Sequence, residues 1–477
     1  MVGRAHFRVH KLVALSLLLC GLALPSVASA SSLRTSISTG LLSSHERIVA
    51  AVSDEVSFRV VLAPRNPARL DALIVDQNTP GYPWYHHYLS SPQFFQSFGP
   101  RPSDLSRLSS FFTAQGLSVQ RSSTNSLVLE ISGPSSNVSA AFNSRLAMVA
   151  PTGGVASTQF VAPASLPAEV AAGISGIVGL NAHPRYHHNI RNAQYPTTKS
   201  MASPNATTPN CSGLSATASI GGFLPSQQAA AYGADTLTAR GYSGRTQTIA
   251  LYELGNYSSS DISNYFTCLN VSPTLSTVLV DGGATGAADS ETTLDIEQAG
   301  VIAPGAALKI YLGPNNVKGP VDVFARIAAD NTASIVSVSW GICESQSDAK
   351  IEAPIFSQMA AQGQTVFAAS GDSGSSDCAA STDVPPTSDC SNNVGSTCTA
   401  VDDPASQPLV TGVGGVVVNS LSPLDQSVWN DGSGAAGGGA SSLWPQPAWQ
   451  TVTGLANAGK RMVPDLSVMA DPSYGFI

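Results

Sequence analysis

Apolar runs that alternate with amphipathic segments constrain the second half of this chain most strongly. After residue 216, runs typical of buried strands are separated by segments with the apolar spacing of helices. We predict strands over residues 247–254, 276–280, 307–312, 334–340 and 365–370, and helices over 260–270, from Glu291, over 321–329 and over 351–362. Such alternation is typical of an α/β fold, a largely parallel sheet with helices on both faces. Active sites of such sheets lie at the carboxyl ends of the strands.

The first part of the chain has a different pattern, in which shorter strands and helices are mixed. We predict strands over residues 57–62, 117–121, 127–132 and 146–149, and helices over 67–76, 92–98, 103–115 and 136–143. This mixture is typical of a small α+β sandwich. With 477 residues the chain is long enough for two or three domains, and its low charged fraction of 11% favours a compact extracellular protein over a disordered one.

The amino terminus has the three parts of a secretory signal peptide. Arg4, Arg8 and Lys11 form a basic start, residues 12–24 are apolar, and residues 28–30 are the small residues Ala-Ser-Ala. The apolar run is too short for a confident membrane-spanning helix, and no later stretch is long and apolar enough. We therefore expect cleavage near residue 30 and a secreted, extracellular protein that does not associate with a membrane.

Cysteine usage agrees with export. Cys20 would leave with the signal peptide, and six cysteines remain: Cys211, Cys268, Cys343, Cys378, Cys390 and Cys398. An even number in an exported protein predicts disulfides, although the sequence cannot choose their pairing. The spacing of the last three favours a local bridge among them. Zinc ligation by the cysteines is disfavoured because there is no Cys-x-x-Cys pair and no nearby histidine.

Charge and histidine are divided unevenly along the chain. Residues 1–188 have a formal charge of +5, residues 189–477 have −13, and all eight histidines precede residue 189. A histidine-free second half excludes a Ser-His-Asp triad there. Its acidic balance argues against nucleic acid as a partner.

Several carboxylates stand next to predicted strand ends or at a predicted helix start. Glu291 and Asp295 are four residues apart, so they share one face of a helix. Asp372 lies in a Ser-Gly-Asp turn after a strand, and Glu253 ends another strand. Each has an ordinary interpretation as well: a solvated helix face, a turn aspartate or a loop carboxylate, with Trp340 as a core residue.

A resemblance covers about residues 50–182. Residues 82–89 read Tyr-Pro-Trp-Tyr-His-His-Tyr-Leu, and the fragments that follow are Phe94, Phe95, Phe-Gly-Pro at 98–100, Gly-Leu-Ser-Val at 116–119, Ser-Gly at 132–133 and Ala-Ala-Phe at 140–142. This segment resembles the activation propeptide of the sedolisin family, the kumamolisin-like serine-carboxyl peptidases. The resemblance implies a ferredoxin-like fold. We interpret the histidine pairs at 86–87 and 187–188 as surface and linker histidines rather than as a pH sensor.

Residues from about 216 onward resemble the catalytic domain of the same family, which is similar to subtilisin in fold. The matching fragments are Glu-Thr-Thr-Leu-Asp at 291–295, Ser-Val-Ser-Trp-Gly at 337–341, Ser-Gly-Asp at 370–372, and Gly-Gly-Gly, Trp-Pro, Pro and Trp-Gln within 437–450. The predicted organisation is a signal peptide at 1–30, a propeptide at 31–182, a linker with the maturation cleavage at 183–215, and a peptidase domain at 216–477.

The resemblance implies a Ser-Glu-Asp triad. In it Glu291 is the base that activates the serine, Asp295 is its partner, and a protonated Asp372 donates a hydrogen bond to the oxyanion. A glutamate base works in acid, where histidine would be protonated. A carboxylate pair tends to share a proton, and a protonated oxyanion aspartate requires acid or a strongly raised pKa.

The resemblance also implies a supporting network and a substrate-binding strand. Glu253 and Trp340 would extend the hydrogen bonds of the triad, and Ser339, Trp340 and Gly341 would bind the substrate. The expected partners are protein or peptide substrates and the chain's own propeptide as an intramolecular inhibitor. We expect a monomer.

One part of the pattern is missing. The family's nucleophile lies in a Ser-Gly-Thr-Ser motif after a segment like residues 463–475, and no Gly-Thr-Ser follows residue 188. We interpret the polypeptide as incomplete before the catalytic serine, so no serine is assigned and this chain is expected to be inactive. A structural calcium ion is implied by the resemblance alone, with ligands beyond the end of the chain.

The leading hypothesis is therefore a secreted, acid-acting endopeptidase made as a zymogen, in which the basic first part holds the acidic second part near neutral pH. The alternative is a pseudo-peptidase that binds peptides without cleaving them. A glycosidase with paired carboxylates is disfavoured, because the tryptophans are not concentrated as a sugar platform and the propeptide would be unexplained.

Overall fold

The computed structural model describes residues 30–32, 46–52, 55–121, 123–151, 156–180, 186–188, 223–379, 399–431, 434–451 and 459–472. We call the described residues up to 180 the amino-terminal unit and those from 223 onward the carboxyl-terminal unit. The predicted signal sequence before residue 30 and the predicted linker, apart from residues 186–188, lie outside the described residues.

The amino-terminal unit is an α+β unit built on antiparallel sheets. Its strands are β1 (Ala30–Ser32), β2 (Glu46–Ala50), β3 (Glu55–Leu62), β4 (Ser118–Gln120), β5 (Val128–Pro134), β6 (Leu146–Pro151), β7 (Ser157–Phe160), β8 (Ser165–Pro167) and β9 (Ile174–Val178). Its helices are α1 (Pro67–Asn78), α2 (Ser91–Ser97), α3 (Pro102–Ala114), α4 (Ser135–Ala141) and α5 (Ala168–Ala171). The main sheet has the order β4-β5-β3-β9, and a second sheet has the order β2-β6-β7.

The rest of the described chain is built on strands and helices in alternation. Its strands are β10 (His187–His188), β11 (Thr248–Glu253), β12 (Thr274–Leu279), β13 (Ala307–Leu312), β14 (Ile335–Val338), β15 (Trp340–Cys343), β16 (Thr365–Ala369), β17 (Asp402–Asp403), β18 (Val410–Leu421), β19 (Leu424–Val428), β20 (Gly439–Pro445), β21 (Lys460–Val463) and β22 (Leu466–Met469). The helices are α6 (Pro225–Ala231), α7 (Ala234–Ala239), α8 (Ser259–Leu269), α9 (Ser290–Ile302), α10 (Gly319–Asp330) and α11 (Ala349–Ala361).

The main sheet of the carboxyl-terminal unit has eight strands in the described part of the chain. Their order is β12-β13-β11-β14-β16-β18-β19, and β22 also pairs with β18. Every neighbouring pair from β12 to β18 is parallel, whereas β19 returns antiparallel to β18 as a hairpin. The sequence prediction of a subtilisin-like α/β fold is thus confirmed.

Side chains that alternate along β11 fill two different layers. Leu251 packs on one face with Ile296 of α9, whereas Tyr252 packs on the other face with helices α10 and α11. There its ring stacks on Phe324 with ring centres 4.1 Å apart, and Phe324 in turn contacts Phe356 edge-on. Because alternate strand residues face opposite sides, one strand anchors helices on both faces of the sheet.

The strands and helices predicted between residues 247 and 370 are present, with one correction. The predicted strand over 334–340 is two strands, β14 and β15, with a break at Ser339. The break arises because β14 belongs to the main sheet, whereas β15 leaves it and pairs antiparallel with β10 and β17. The strands after residue 370 and β7 to β9 were not predicted.

The two units share an apolar interface. Val61, Val128 and Val178 of the amino-terminal unit pack in one cluster with Val321 of α10 and Ile351 of α11. Burying an apolar side chain of this size contributes about 1.5–3 kcal/mol. The amino-terminal unit thus covers the helices on one face of the main sheet.

Polar groups of the amino-terminal unit complete the last turn of α11. The carbonyl of Ala361 accepts hydrogen bonds from Gln77 Nε2 at 3.0 Å and from the Leu89 amide at 2.9 Å. The last carbonyls of a helix lack partners within the helix. Just beyond, Gly363 has φ of +77°, and a Cβ there would lie 2.5 Å from Cγ of Tyr88. Only glycine fits that close approach without strain.

Arg59 on β3 is the buried charge at this interface, with 4% of its surface exposed. Its Nε donates to Asp322 Oδ2 at 2.7 Å, its second guanidinium nitrogen donates to Asp281 Oδ2 at 3.0 Å, and Glu130 lies 3.1 Å away. Burial opposes the charged form, but the carboxylates of Asp322, Asp281 and Glu130 outweigh it and raise the pKa of Arg59. The predicted attraction between a basic and an acidic part of the chain stays a prediction, and Arg59 is its most specific candidate contact.

The structure describes a disulfide that uses one of the three cysteines expected to form a local bridge, and a bridge between the other two, Cys390 and Cys398, stays a prediction. Cys378 is joined to Cys343, at the end of β15, rather than to Cys390 or Cys398, which lie outside the described residues. Across the described part of the chain, no helix has the length and apolar character needed to cross a membrane.

Replacing Arg59 with Met is expected to lower the free energy of unfolding of the uncleaved chain by about 3 kcal/mol, because it leaves the Asp322 carboxylate buried without its cation. Urea unfolding followed by fluorescence measures this. The matched control is Arg107→Met, whose exposed ion pair with Asp104 is expected to contribute about 0–1 kcal/mol. Equal losses in the two variants would contradict the assigned role of Arg59.

Candidate active site

The carboxyl ends of three neighbouring strands bring the candidate residues to one edge of the main sheet. Glu253 ends β11, Ser339 follows β14, and Asp372 follows β16. These strands are adjacent in the order β11-β14-β16, so their ends converge. This is the edge at which the sequence predicted a site.

Helix α9 is docked on the end of β11 by its first turn. Asp289 is the N-cap and accepts a hydrogen bond from the Glu291 amide at 2.8 Å. The Thr292 hydroxyl donates to the carbonyl of Gly255 at 2.9 Å. A Cβ on Gly255 would lie 2.6 Å from Cβ of Asp289, so a larger residue would push the helix away.

This docking turns the face shared by Glu291 and Asp295 into the protein. Glu291 is 5% exposed, which excludes the interpretation of a solvated helix face. Asp295 is half-buried as a residue, but its Oδ2 is shielded from solvent. The helical spacing of Glu291 and Asp295 puts them on one face, and the packing of α9 buries that face.

Two hydrogen bonds join the carboxylates of Asp295 and Glu253 to the residue between β14 and β15 and to the first residue of β15. The Ser339 hydroxyl donates to Asp295 Oδ1 at 2.8 Å, and Trp340 Nε1 donates to Glu253 Oε2 at 3.1 Å. Glu253 is fully buried. The break in the strand at Ser339 therefore places two successive side chains on two different carboxylates.

Burial raises the pKa values of all three carboxyl groups, and neighbouring negative charge adds to the increase for Glu253 and Glu291. Burial is the main cause for Glu253, and the charge of Asp295 adds to it. The pKa of Glu291 is raised well above its usual range by burial and then by the charges of Asp295 and Asp372. Burial raises the pKa of Asp295 to about 6, although hydrogen bonds with Ser339 and Glu253 oppose the increase. These groups thus hold protons in a pH range where exposed carboxylates have lost them.

The turn that carries Asp372 is fixed through its backbone. Gly371 has φ of +95°, and its carbonyl accepts from the Gly437 amide at 2.7 Å. The carbonyl of Asp372 accepts from the Ala435 amide at 3.0 Å. A Cβ on Gly437 would lie 1.7 Å from the carbonyl oxygen of Ser370, so this close approach requires glycine. The Asp372 charge acts on Glu291, which places the two side chains on the same site.

A short piece of the predicted linker lies along the site. Strand β10 pairs antiparallel with β15, with His187 opposite Gly341 and His188 opposite Trp340. The Tyr186 hydroxyl donates to Oε1 of the buried Glu352 at 3.1 Å, and burial followed by the charge of Glu352 raises the pKa of Tyr186. The strand predicted to bind substrate is thus occupied by the chain itself.

The structure brings Glu253, Glu291, Asp295, Ser339 and Trp340 into one network. Of the other predicted site residues, Asp372 acts on Glu291 through its charge, and Gly341 lies against β10 and Asp402. Sequence reasoning missed the docking role of Thr292 and the contact of Tyr186 with Glu352. A threonine after a cap and a tyrosine in a polar linker are too common to indicate either contact.

Comparisons with known proteins show which proteins this chain is similar to. Residues 43–183 match the family described as "Pro-kumamolisin, activation domain". Kumamolisin of Bacillus sp. (strain MN-32) is 33% identical over 450 residues, which cover 88% of this chain and 75% of that protein. Sedolisin of Pseudomonas sp. (strain 101) is 26% identical over 457 residues, which cover 89% of this chain and 72% of that protein.

A solved structure of Pseudomonas sedolisin, a serine-carboxyl proteinase complexed with two molecules of pseudo-iodotyrostatin, is also similar to this chain. It has 25% sequence identity and a TM-score of 0.45, and the match covers 53% of this chain and 72% of that one. The identity to kumamolisin over most of both chains leads to one conclusion. The chain belongs to the sedolisin family of serine-carboxyl peptidases and carries a pro-kumamolisin activation domain.

Proposed function

We propose that this protein is the zymogen of a secreted endopeptidase that hydrolyses peptide bonds in acid through a Ser-Glu-Asp triad. The observation that carries the proposal is the buried network of Glu291, Asp295 and Glu253 at the carboxyl end of the sheet. No histidine follows residue 188, so a base in this unit has to come from another residue type.

In the proposed mechanism Glu291 removes the proton from the attacking serine. The serine oxygen forms a bond to the peptide carbonyl carbon, and the carbon–nitrogen bond breaks as the proton passes from Glu291 to the leaving amine. Water then hydrolyses the acyl-serine ester, which releases the acid and restores the serine. A raised pKa strengthens Glu291 as a base, provided that it is ionised when the substrate binds. Asp295 holds the proton of the pair, and its hydrogen bond with Ser339 fixes its position.

The pH dependence follows from this shared proton. Below about pH 6 the pair of Glu291 and Asp295 retains at least one proton, which the two carboxyl groups can share, and Glu291 acts as the base when the proton is on Asp295. As the pH rises through this value the proton is lost, and two adjacent negative charges disrupt the arrangement. We therefore expect activity in acid that declines above about pH 6.

Asp372 supplies the oxyanion hydrogen bond in the proposed mechanism. Its turn is rigid because backbone bonds to Ala435 and Gly437 fix it on both sides. A protonated carboxyl group there can donate to the oxygen that becomes negative in the tetrahedral intermediate. In subtilisin-like enzymes an asparagine amide has this role.

The linker that follows the propeptide is proposed to inhibit the uncleaved protein by covering the site. Strand β10 occupies the edge of β15 that the resemblance assigns to substrate, and Tyr186 anchors it. A peptide substrate adding to β15 would have to displace residues 186–188. Maturation cleavage and separation of the units would expose this edge.

The nucleophile is assigned to no residue of this chain, because no Gly-Thr-Ser motif follows residue 188. The second candidate function is a pseudo-peptidase that binds peptides along β15 without cleaving them. Sequencing the gene past codon 477 separates the two. A Gly-Thr-Ser motif about 10–30 codons on, as the family resemblance implies, supports the peptidase, and a stop codon supports the binding protein.

The remaining proposals concern export, assembly and metal. We propose secretion on the basis of the signal sequence, and a monomer. Calcium takes oxygen ligands, so the group of His187, Asp377 and Asp402, which offers an imidazole nitrogen, does not suit it. We assign no residue of this chain to calcium and route no step of the mechanism through it.

The buried carboxyl groups predict that the uncleaved chain is more stable in acid than at neutral pH. A carboxyl whose pKa is raised in the folded state stabilises the fold at low pH, and this contribution is lost as the pH rises through the raised value. Glu253→Gln keeps an acceptor for Trp340 but cannot ionise, so thermal unfolding between pH 4 and 7 should show a smaller loss of stability than in the wild type. Asp235→Asn, at an exposed carboxylate, is the control, and a Glu253→Gln profile that matches the wild type contradicts the assignment.

The roles of Glu291 and Asp372 are tested in the polypeptide encoded by the complete gene, assayed on a denatured protein in acid. Glu291→Gln should lower kcat/KM by about 10²–10⁴-fold, because it removes the base. Asp372→Ala should lower it by about 10²–10³-fold, and Asp372→Asn by less, because an amide still donates.

Asp261→Asn is the control for these variants, since Asp261 is an exposed carboxylate on α8, away from the network. It should retain full activity. Full activity in Glu291→Gln would overturn the proposed mechanism, and equal losses in the two Asp372 variants would overturn the oxyanion role.

A further inference from the structure

A second cluster of chemically active side chains lies beneath the candidate site and has no part in the proposed mechanism. It consists of His187 on β10, Asp377 in the short 3₁₀ helix Asp377–Ala379, and Asp402 on β17. One ligand atom from each residue lies within 4.8 Å of the others. Three separate segments thus converge on one small volume.

The cluster is enclosed by backbone. Strand β15 runs between β10 and β17, with His187 opposite Gly341 and Asp402 opposite Cys343. A Cβ on Gly341 would lie 2.0 Å from Asp402 Oδ1, and one on Gly371 would lie 2.8 Å from Asp377 Oδ1. The two glycines therefore let the chain close tightly around both carboxylates.

The polar atoms of the cluster are buried without a donor. Asp377 and Asp402 are 1% and 0% exposed, respectively. Both oxygens of each carboxylate and Nε2 of His187 are shielded from solvent and lack a hydrogen-bond partner among the residues that the structure describes, apart from a proton that the two carboxyl groups can share. Burying such groups is costly unless something compensates them.

A cation would compensate them, and the ligand set indicates which kind. One imidazole nitrogen and two carboxylate oxygens suit a borderline divalent ion such as Zn²⁺, with water completing a tetrahedron. They do not suit Ca²⁺ or Mg²⁺, which prefer oxygen ligands alone. Zn²⁺ holds nitrogen and oxygen ligands at about 2.0–2.2 Å, so the three ligand atoms, which lie within 4.8 Å of one another, would move closer together around the ion.

We propose that His187, Asp377 and Asp402 form a Zn²⁺ site that holds residues 186–188 on the carboxyl-terminal unit of the uncleaved protein. His187 precedes the carboxyl-terminal unit in the chain, whereas both aspartates belong to it. The ion joins the segment that covers β15 to the unit that it covers. Metal binding at this site stabilises the covered form, and its ligands are other residues than Glu291, Asp295 and Asp372 of the proposed mechanism.

The test uses the uncleaved 477-residue chain, stripped of metal with a chelator and titrated with ZnCl₂ in a calorimeter. The wild type should bind Zn²⁺, and His187→Asn and Asp402→Asn should each bind at least tenfold more weakly. His87→Ala is the matched control, because His87 is an exposed histidine of the amino-terminal unit, and it should bind as the wild type does. Absence of Zn²⁺ binding in the wild type, or unchanged binding in His187→Asn, overturns the site.

Hydrogen exchange tests separately whether Zn²⁺ holds residues 186–188 in place. Zn²⁺ should slow amide exchange in peptides that contain residues 186–188 and 340–343 in the wild type and in His87→Ala, but not in His187→Asn. Thermal unfolding without metal establishes whether each variant is folded, and Asp377→Asn offers a third, independent removal of a ligand. Binding of Zn²⁺ with unchanged exchange at residues 186–188 would overturn the proposal that the ion holds this segment in place.

Discussion

The hydrogen bond from Ser339 to Asp295 is the contact on which the site depends. It joins the end of a central strand to the helix that carries Glu291, and it stands beside the bond from Trp340 to Glu253. Consecutive residues thus reach two different carboxylates at the point where the strand breaks. The same break releases β15 from the main sheet and creates the edge along which residues 186–188 lie.

The site has no histidine from the carboxyl-terminal unit, and burial sets the acid–base properties of its carboxyl groups instead. A glutamate on a solvent-exposed helix face would titrate as an ordinary acid and would be a weak base. Here, burial and the charges of Asp295 and Asp372 raise the pKa of Glu291. The cost of placing acidic groups together is offset by the packed sheet and by an amino-terminal unit that covers one face of the molecule through Arg59 and an apolar cluster.

The sequence predicted the main sheet well, because the length of the apolar runs and the spacing of apolar residues between them distinguish strands from helices. The runs that form β11 and β13 are examples. The sequence also predicted that Glu291 and Asp295 share a face, since helical spacing requires this. It could not predict that the face points inward, which depends on the docking of Thr292 against Gly255. The pairing of Cys343 with Cys378 and the short strand at His187 arise from tertiary contacts that leave no local pattern.

The most direct test of this account is the titration of the two carboxyl groups themselves, followed by NMR of protein with ¹³C-labelled Asp and Glu side chains and assigned with the Asp295→Asn and Glu291→Gln variants. The account predicts that Asp295 titrates near pH 6 and that Glu291 titrates well above its usual range, with a lower pKa once Asp295 is replaced by Asn. Titration of both groups near about pH 4, as in exposed carboxylates, would contradict it.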